Sequence, residues 1–150
     1  MQLVNLKDSI QDIEEVFDLL YDEWGTYFKK TKEQKITTTK EAVIKNVKFP
    51  SFYLLKEEGK VVGIFSFESC DIEKGNVALL RYVYIRKQYR GKGLGRELLN
   101  AIDKVAKENF DRVYLYTELT NFYEKIGYTY VKNVLRDNGE INRLYLKEYK

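Results

Sequence analysis

Histidine is absent from the 150 residues, and cysteine, proline, methionine and tryptophan occur once each. Without histidine the chain lacks the side chain that most often serves as general base or metal ligand near neutral pH. The lone Cys70 excludes an internal disulfide framework and a multi-cysteine zinc site, so no metal is expected. One proline and 9 glycines exclude collagen-like and Pro/Gly-rich disordered chains. No apolar run is long enough for a membrane span. The start, Met1-Gln2-Leu3-Val4-Asn5, has no basic stretch leading into an apolar one, and the expected location is cytoplasmic. Any catalysis must draw on carboxylates, Tyr, Lys, Arg, backbone amides or a bound cofactor.

What is present suits one globular α/β domain over residues 1–150: 44% hydrophobic and 33% charged residues, with no repeat, linker or low-complexity tract. The net charge of +3 is too small to announce a nucleic-acid binder. Its distribution says more. Between Arg86 and Arg96 stand five cations (Arg86, Lys87, Arg90, Lys92, Arg96) and no acid, and Lys29 to Lys35 is opposed only by Glu33. A small anion at one site is the first expectation.

Periodicity predicts a strand at Gln2–Leu6, then a helix capped by Asp8 or Ser9, carrying Ile10, Ile13, Val16, Phe17, Leu20, Tyr21 and Trp24, and closed by Gly25. Thr26–Thr39 reads as a polar, basic loop and Lys40–Lys48 as a second helix. Strands follow at Phe52–Lys56 and Val61–Ser69 across the turn Glu57-Glu58-Gly59-Lys60, and at Val77–Ile85. Gly93 to about Asn109 reads as a helix, Val113–Thr117 as a strand and Asn121–Ile126 as a short helix. Tyr128–Leu135 and Ile141–Lys147 form a last hairpin across Asp137-Asn138-Gly139. The order is βααβββαβαββ.

Arg90-Gly91-Lys92-Gly93-Leu94-Gly95-Arg96 lies between an apolar strand and an amphipathic helix. Glycines there let the backbone take unusual dihedrals and approach a ligand closely. Exposed amides at a helix start, with its dipole, favour an anion, and Arg90, Lys92 and Arg96 add charge-assisted donors. Chemically this is a diphosphate cradle. It is no Walker loop, since no Gly-x-x-x-x-Gly-Lys-Ser/Thr run exists, and the Gly-x-Gly-x-Gly spacing misses the Rossmann fingerprint.

Arg90, Gly93 and Gly95 satisfy Arg/Gln-x-x-Gly-x-Gly/Ala, a pattern that resembles the acetyl-CoA signature of the GNAT superfamily of N-acetyltransferases. Leu80 to Gly95 looks like that family's fourth strand running into its third helix. Asn121-Phe122-Tyr123-Glu124-Lys125-Ile126-Gly127-Tyr128 is similar to its Phe-Tyr-Glu-Lys-x-Gly-Phe/Tyr segment. The resemblance covers Val77–Val131 in motif detail and the remainder in topology. It implies a mixed, mostly antiparallel sheet of about seven strands with four helices, splayed between the fourth and fifth strands. Acetyl-CoA is then the implied cosubstrate. Backbone at Val83, Tyr84 and Ile85 would pair with its pantetheine arm, Arg90, Gly91, Lys92, Gly93, Leu94, Gly95 and Arg96 would hold its pyrophosphate, and Asn121 would lie beside it.

The same resemblance puts Tyr123 beside the CoA sulfur as the group that protonates the departing thiolate. With a phenol at pKa ~10 and a thiol at ~8.5, full transfer is uphill by roughly 2 kcal/mol, so the role is a hydrogen bond as charge develops, or needs a lowered pKa. Two positions depart from the family. Leu79 stands where many members carry a glutamate base, and Tyr116 stands seven residues before the tyrosine, where many carry an asparagine. That leaves Glu118 as first substitute base, then Glu68 and Asp71, with ordered water as a further relay. Cys70 has no histidine to activate it as a nucleophile. Lys29, Lys30, Lys32 and Lys35 would line the acceptor side.

The implied reaction is direct transfer of acetyl from acetyl-CoA to a primary amine, on a small molecule or a peptide, in a ternary complex. The resemblance requires neither nucleic acid nor membrane and leaves room for a homodimer. A non-catalytic acyl-CoA-binding or regulatory module is the alternative that Leu79 keeps open. An RNA-binding module built on stacked tyrosines is a third class, without a matching motif.

Overall fold

The computed structural model describes all residues, 1–150. They form two compact units: residues 1–67 with 82–95, and residues 68–81 with 96–150. Three α-helices, α1 (Ile13–Trp24), α2 (Lys32–Lys45) and α3 (Leu94–Asn109), accompany seven strands. The strands are β1 (Gln2–Asn5), β2 (Ser51–Glu57), β3 (Lys60–Ser69), β4 (Val77–Ile85), β5 (Arg112–Thr117), β6 (Thr129–Leu135) and β7 (Ile141–Glu148). Hydrogen-bonded neighbours run β1-β2-β3-β4-β5-β7-β6. Only β4 and β5 among the recorded pairs are parallel.

In the first unit, α1 buries Ile13, Val16, Phe17 and Leu20, a stripe at helical spacing. These residues share a core with Leu6, Ile36, Phe52, Leu54, Val61, Ile64 and Tyr84. Phe17 meets Phe52 edge-on at 5.4 Å. The β2–β3 hairpin turns through Glu58 and Gly59, both at positive φ (50° and 80°), which suits the twist of the flanking strands. Tyr82, inside β4, also has positive φ (54°). A residue with a Cβ is strained there by about 1–3 kcal/mol and stays only where packing holds it. Its ring is stacked on Phe52 at 6.0 Å and packed on Phe28 at 5.6 Å and Trp24 at 6.3 Å.

In the second unit, β4 pairs with β5 from Val77↔Arg112 to Leu80↔Leu115. The ladder ends there, although β5 continues to Thr117 and pairs with β7 throughout. Helix α3 buries Leu98, Leu99, Ile102, Val105 and Ala106. Lys147 on β7 ties two elements down, donating to Asp103 of α3 and to the Ile126 carbonyl, both at 2.6 Å.

Two expectations need correction. Thr26–Thr39 is not a loop: α2 starts at Lys32 and ends at Lys45. A reciprocal capping box, Thr31 with Gln34, starts it, and Asn46 in the left-handed conformation stops it. The expected fourth helix is one 3-10 turn, Tyr123–Ile126. Asn121 (φ 60°) and Gly127 (φ 89°) bracket it, and neither conformation continues a right-handed helix. No helix is long and apolar enough to cross a membrane.

Candidate active site

The sequence-predicted residues divide between the units. Val83 to Gly95 belong to the first; Arg96, Glu118, Asn121 and Tyr123 belong to the second. In the first unit, β4 runs through half-buried Val83, buried Tyr84 and half-buried Ile85 into a 3-10 turn at Lys87–Tyr89. The Tyr84 ring meets Trp24 edge-on at 5.9 Å. Burial raises its hydroxyl pKa, against the opposing charge of Arg90.

The loop that follows has the required backbone. Gly91 (φ 77°) and Gly93 (φ 81°) both lie in the left-handed region, and a Cβ on either would meet nothing within 4 Å. The glycines are therefore needed for conformation, and the space before them is open. Leu94, buried at 5%, anchors the start of α3 directly behind them. Alternating backbone handedness ahead of a helix N-terminus turns successive amides toward one locus, which is how peptide backbone holds phosphate oxygens.

The cations of this segment do different jobs. Arg86 is structural: Nε donates to the Val61 carbonyl at 2.9 Å and Nη2 pairs with Glu15 at 2.6 Å. Arg90 folds back, donating from Nε to the Ile85 carbonyl at 2.8 Å, with Nη2 3.5 Å from Glu23. Lys92 hangs over the Tyr89 ring at 6.0 Å, and Arg96 is exposed on the first turn of α3. Lys87, Lys92 and Arg96 are thus the exposed cations of this segment that no recorded ion pair engages. Of the lysines near α2, Lys32 pairs with Asp18 at 2.5 Å. Lys35 lies over Phe28 and Tyr82 at 5.4 and 5.6 Å.

In the second unit Tyr123 opens the 3-10 turn and is buried to 6% exposure. Its ring is edge-on to Phe122 at 4.9 Å and to Tyr128 at 6.1 Å. Burial alone pushes its hydroxyl well above the ordinary phenol range. The turn is held from behind by Tyr145, which donates to Glu124 at 2.8 Å and accepts from Arg143 Nε at 3.0 Å. Asn121, exposed and left-handed, shares this turn. Glu118 is exposed on the bend that ends β5. Glu68 is engaged by Arg81 at 3.0 Å, whereas Asp71 is exposed and Cys70 half-buried on the β3–β4 connection. Leu79 is half-buried in the β4–β5 ladder, opposite Tyr114.

One residue escaped the sequence reading. The guanidinium carbon of Arg136, in the β6–β7 turn, lies 3.7 Å from the Tyr116 ring centroid, and its Nη1 is buried without a hydrogen-bond partner. Nothing in Arg136-Asp137-Asn138-Gly139 signals this, since a hairpin turn is usually solvated.

A glycine-rich turn with two left-handed residues thus leads into α3, in a seven-stranded sheet with one parallel pair. The sequence pattern described as the acetyltransferase (GNAT) family matches residues 13–128, and the chain belongs to that family. An uncharacterised N-acetyltransferase of Methanocaldococcus jannaschii is 27% identical over 134 residues, covering 81% of this chain and 57% of that protein. The chain thus spans little more than half the length of that relative. Among solved structures, a chimera of the Vibrio cholerae spermidine N-acetyltransferase with its human counterpart superposes with a TM-score of 0.77 at 15% identity, covering 99% of this chain and 96% of that one. An aminoglycoside 6'-N-acetyltransferase complexed with coenzyme A superposes at 0.71 and 16% identity, covering 100% and 98%. At such identities the likeness is one of fold.

Proposed function

We propose that the chain is an acetyl-CoA-dependent N-acetyltransferase that passes acetyl directly to a primary amine in a ternary complex. The observation that carries this is the pair of left-handed glycines, Gly91 and Gly93, opening space before the α3 N-terminus. Bound acetyl-CoA supplies an activated thioester; the protein supplies position and charge. Amides from Arg90 to Arg96, with the Lys92 and Arg96 cations, hold the pyrophosphate, and backbone at Val83 to Ile85 holds the pantetheine arm. A backbone amide there polarises the carbonyl. Tyr123 keeps its proton and donates a hydrogen bond to sulfur as negative charge grows on it. Glu118, through water, takes the proton that the amine loses on attack. Cys70 carries no acyl group, because no histidine is present to activate it.

The test begins with binding. Acetyl-CoA and CoA raise the melting temperature by mass action on the folded state, and NAD or ATP raises it much less. Gly95→Glu abolishes the shift. Glutamate near a helix N-terminus is favourable for the helix itself, so the variant folds while charge and bulk exclude the pyrophosphate. Retention of full affinity by Gly95→Glu sinks the cradle assignment. Amine-dependent release of free thiol then separates an enzyme from a binding module, which binds the cosubstrate and releases none.

A further inference from the structure

Arg136 has no part in the proposed reaction, and it is the arginine with a buried nitrogen that lacks a partner. Arg81, Arg86, Arg90 and Arg112 each reach a carboxylate, and Arg143 reaches the Tyr145 hydroxyl. Arg136 instead has its guanidinium carbon over the Tyr116 ring, 3.7 Å from its centroid, with Nη1 buried and unpaired. Its backbone is fixed by the turn, donating to the Glu140 carbonyl at 2.8 Å and accepting from the Gly139 amide at 2.9 Å. A buried donor left without a partner is unfavourable, and guanidinium geometry matches a carboxylate bidentately.

The platform beneath it is well placed. Tyr116 is the first residue of β5 past Leu115, where the ladder with β4 ends. Burial raises the Tyr116 hydroxyl; Arg136 works against that rise, while Asp71 and Cys70 add to it. Asp71, exposed on the β3–β4 connection, has the charge that a substrate ammonium needs.

We propose that Arg136 is the specificity determinant for the acceptor, receiving the carboxylate of an aminocarboxylate on the Tyr116 platform. The assignment rests on the acetyl-transfer reading and names its substrate class: a molecule carrying both an amine and a carboxylate. Nη1 is buried, so the carboxylate meets it once the guanidinium shifts across the ring. Acceptors that are only cationic, such as polyamines, meet an unneutralised positive charge and are disfavoured.

The experiment compares amino acids with their own carboxamides, and with a polyamine, as acceptors for the wild type, Arg136→Gln and Arg136→Lys. A charge-assisted pair of this kind corresponds to roughly 10- to 100-fold in kcat/KM. The wild type is expected to favour the acids over the amides by that factor. The ratio falls to about one in Arg136→Gln, mostly through KM, with acetyl-CoA affinity unchanged. Arg136→Lys keeps the charge, loses the fork and gives an intermediate ratio; it also serves if the glutamine variant does not fold. A wild-type preference for amides or polyamine, or a ratio that survives both substitutions, overturns the proposal. If no amine is acetylated at all, the transfer reading has failed separately, and calorimetric binding of the same compounds decides. Carboxylate-dependent binding lost in Arg136→Gln supports the site, and no carboxylate dependence overturns it.

Discussion

At the scale of single residues, the proposed chemistry turns on the state of Tyr123. Its phenol is desolvated and pushed upward, so ionisation in advance is excluded and the lowered pKa entertained from sequence is not what burial produces. What remains is a neutral hydroxyl that meets charge only as the thioester breaks. Tyr123→Phe keeps the ring's packing and deletes that donor. Acetyl-CoA affinity is expected within about threefold of wild type and kcat down roughly 10- to 1000-fold, the scale of one such contact. The pH–rate profile reads both proposed groups at once. Tyr123 contributes no limb below about pH 10, and Glu118→Gln lowers kcat near neutrality but recovers where the amine is already deprotonated, toward its ordinary pKa of ~10.4. A profile unchanged by Glu118→Gln moves the base to Asp71 or water. Normal turnover in Tyr123→Phe reduces that residue to packing. The sequence spacing shows the glycine turn ahead of α3, because glycine's backbone demand is local, and Gly91 and Gly93 are left-handed there. The same spacing does not show that Arg86 and Arg90 pair with Glu15 and Glu23, partners distant in sequence. It missed Arg136 because an unmade bond has no sequence signature.

Among the elements, strands β3 and β5 and helix α3 are legible because their apolar patterns are clear: an unbroken buried run in β3, alternation in β5, and Leu98, Leu99, Ile102 and Val105 along α3. Helix α2 was half lost. It buries only Ile36, Thr39 and Ala42, so its apolar stripe is thin, and its true start is a hydrogen-bonding device rather than a hydrophobic one. Thr31 accepts from the Gln34 amide at 3.2 Å, and the Gln34 side chain accepts from the Thr31 amide at 2.9 Å. Thr31→Ala removes half of this and is expected to cost about 1 kcal/mol, or roughly 2–4 °C in Tm for a chain this size. No change in a calorimetric scan would mean that packing against α1, and not the cap, fixes where α2 begins.

For the whole molecule, the tyrosines dominate the alkaline limit. Burial holds Tyr123, Tyr128 and Tyr149 above the ordinary phenol value, whereas the unfolded chain ionises them near pH ~10. Below that value both states keep their protons and stability is whole. Above it the unfolded state loses protons first, so stability falls as pH rises toward the folded-state values. The urea midpoint is expected to hold to about pH 9 and to drop between roughly pH 10 and 11; a constant or rising midpoint contradicts this. Trp24, in the first unit, and far-UV circular dichroism, over both, test the proposal of a single domain in the same titration. Their curves coincide if the units unfold together, and separate midpoints refute it. The one parallel pair has a kinetic side as well. The β2–β3 hairpin closes over Glu58-Gly59 and the β6–β7 hairpin over a short turn, and such closures take about 1–10 μs. Val77 meets Arg112 only after the whole of α3 has been traversed. Closure entropy for that crossing is lost before its first ladder bond forms, as it is for Gln2 meeting Lys56 in the β1–β2 pair, so these long-range pairings are expected to follow the hairpins in time.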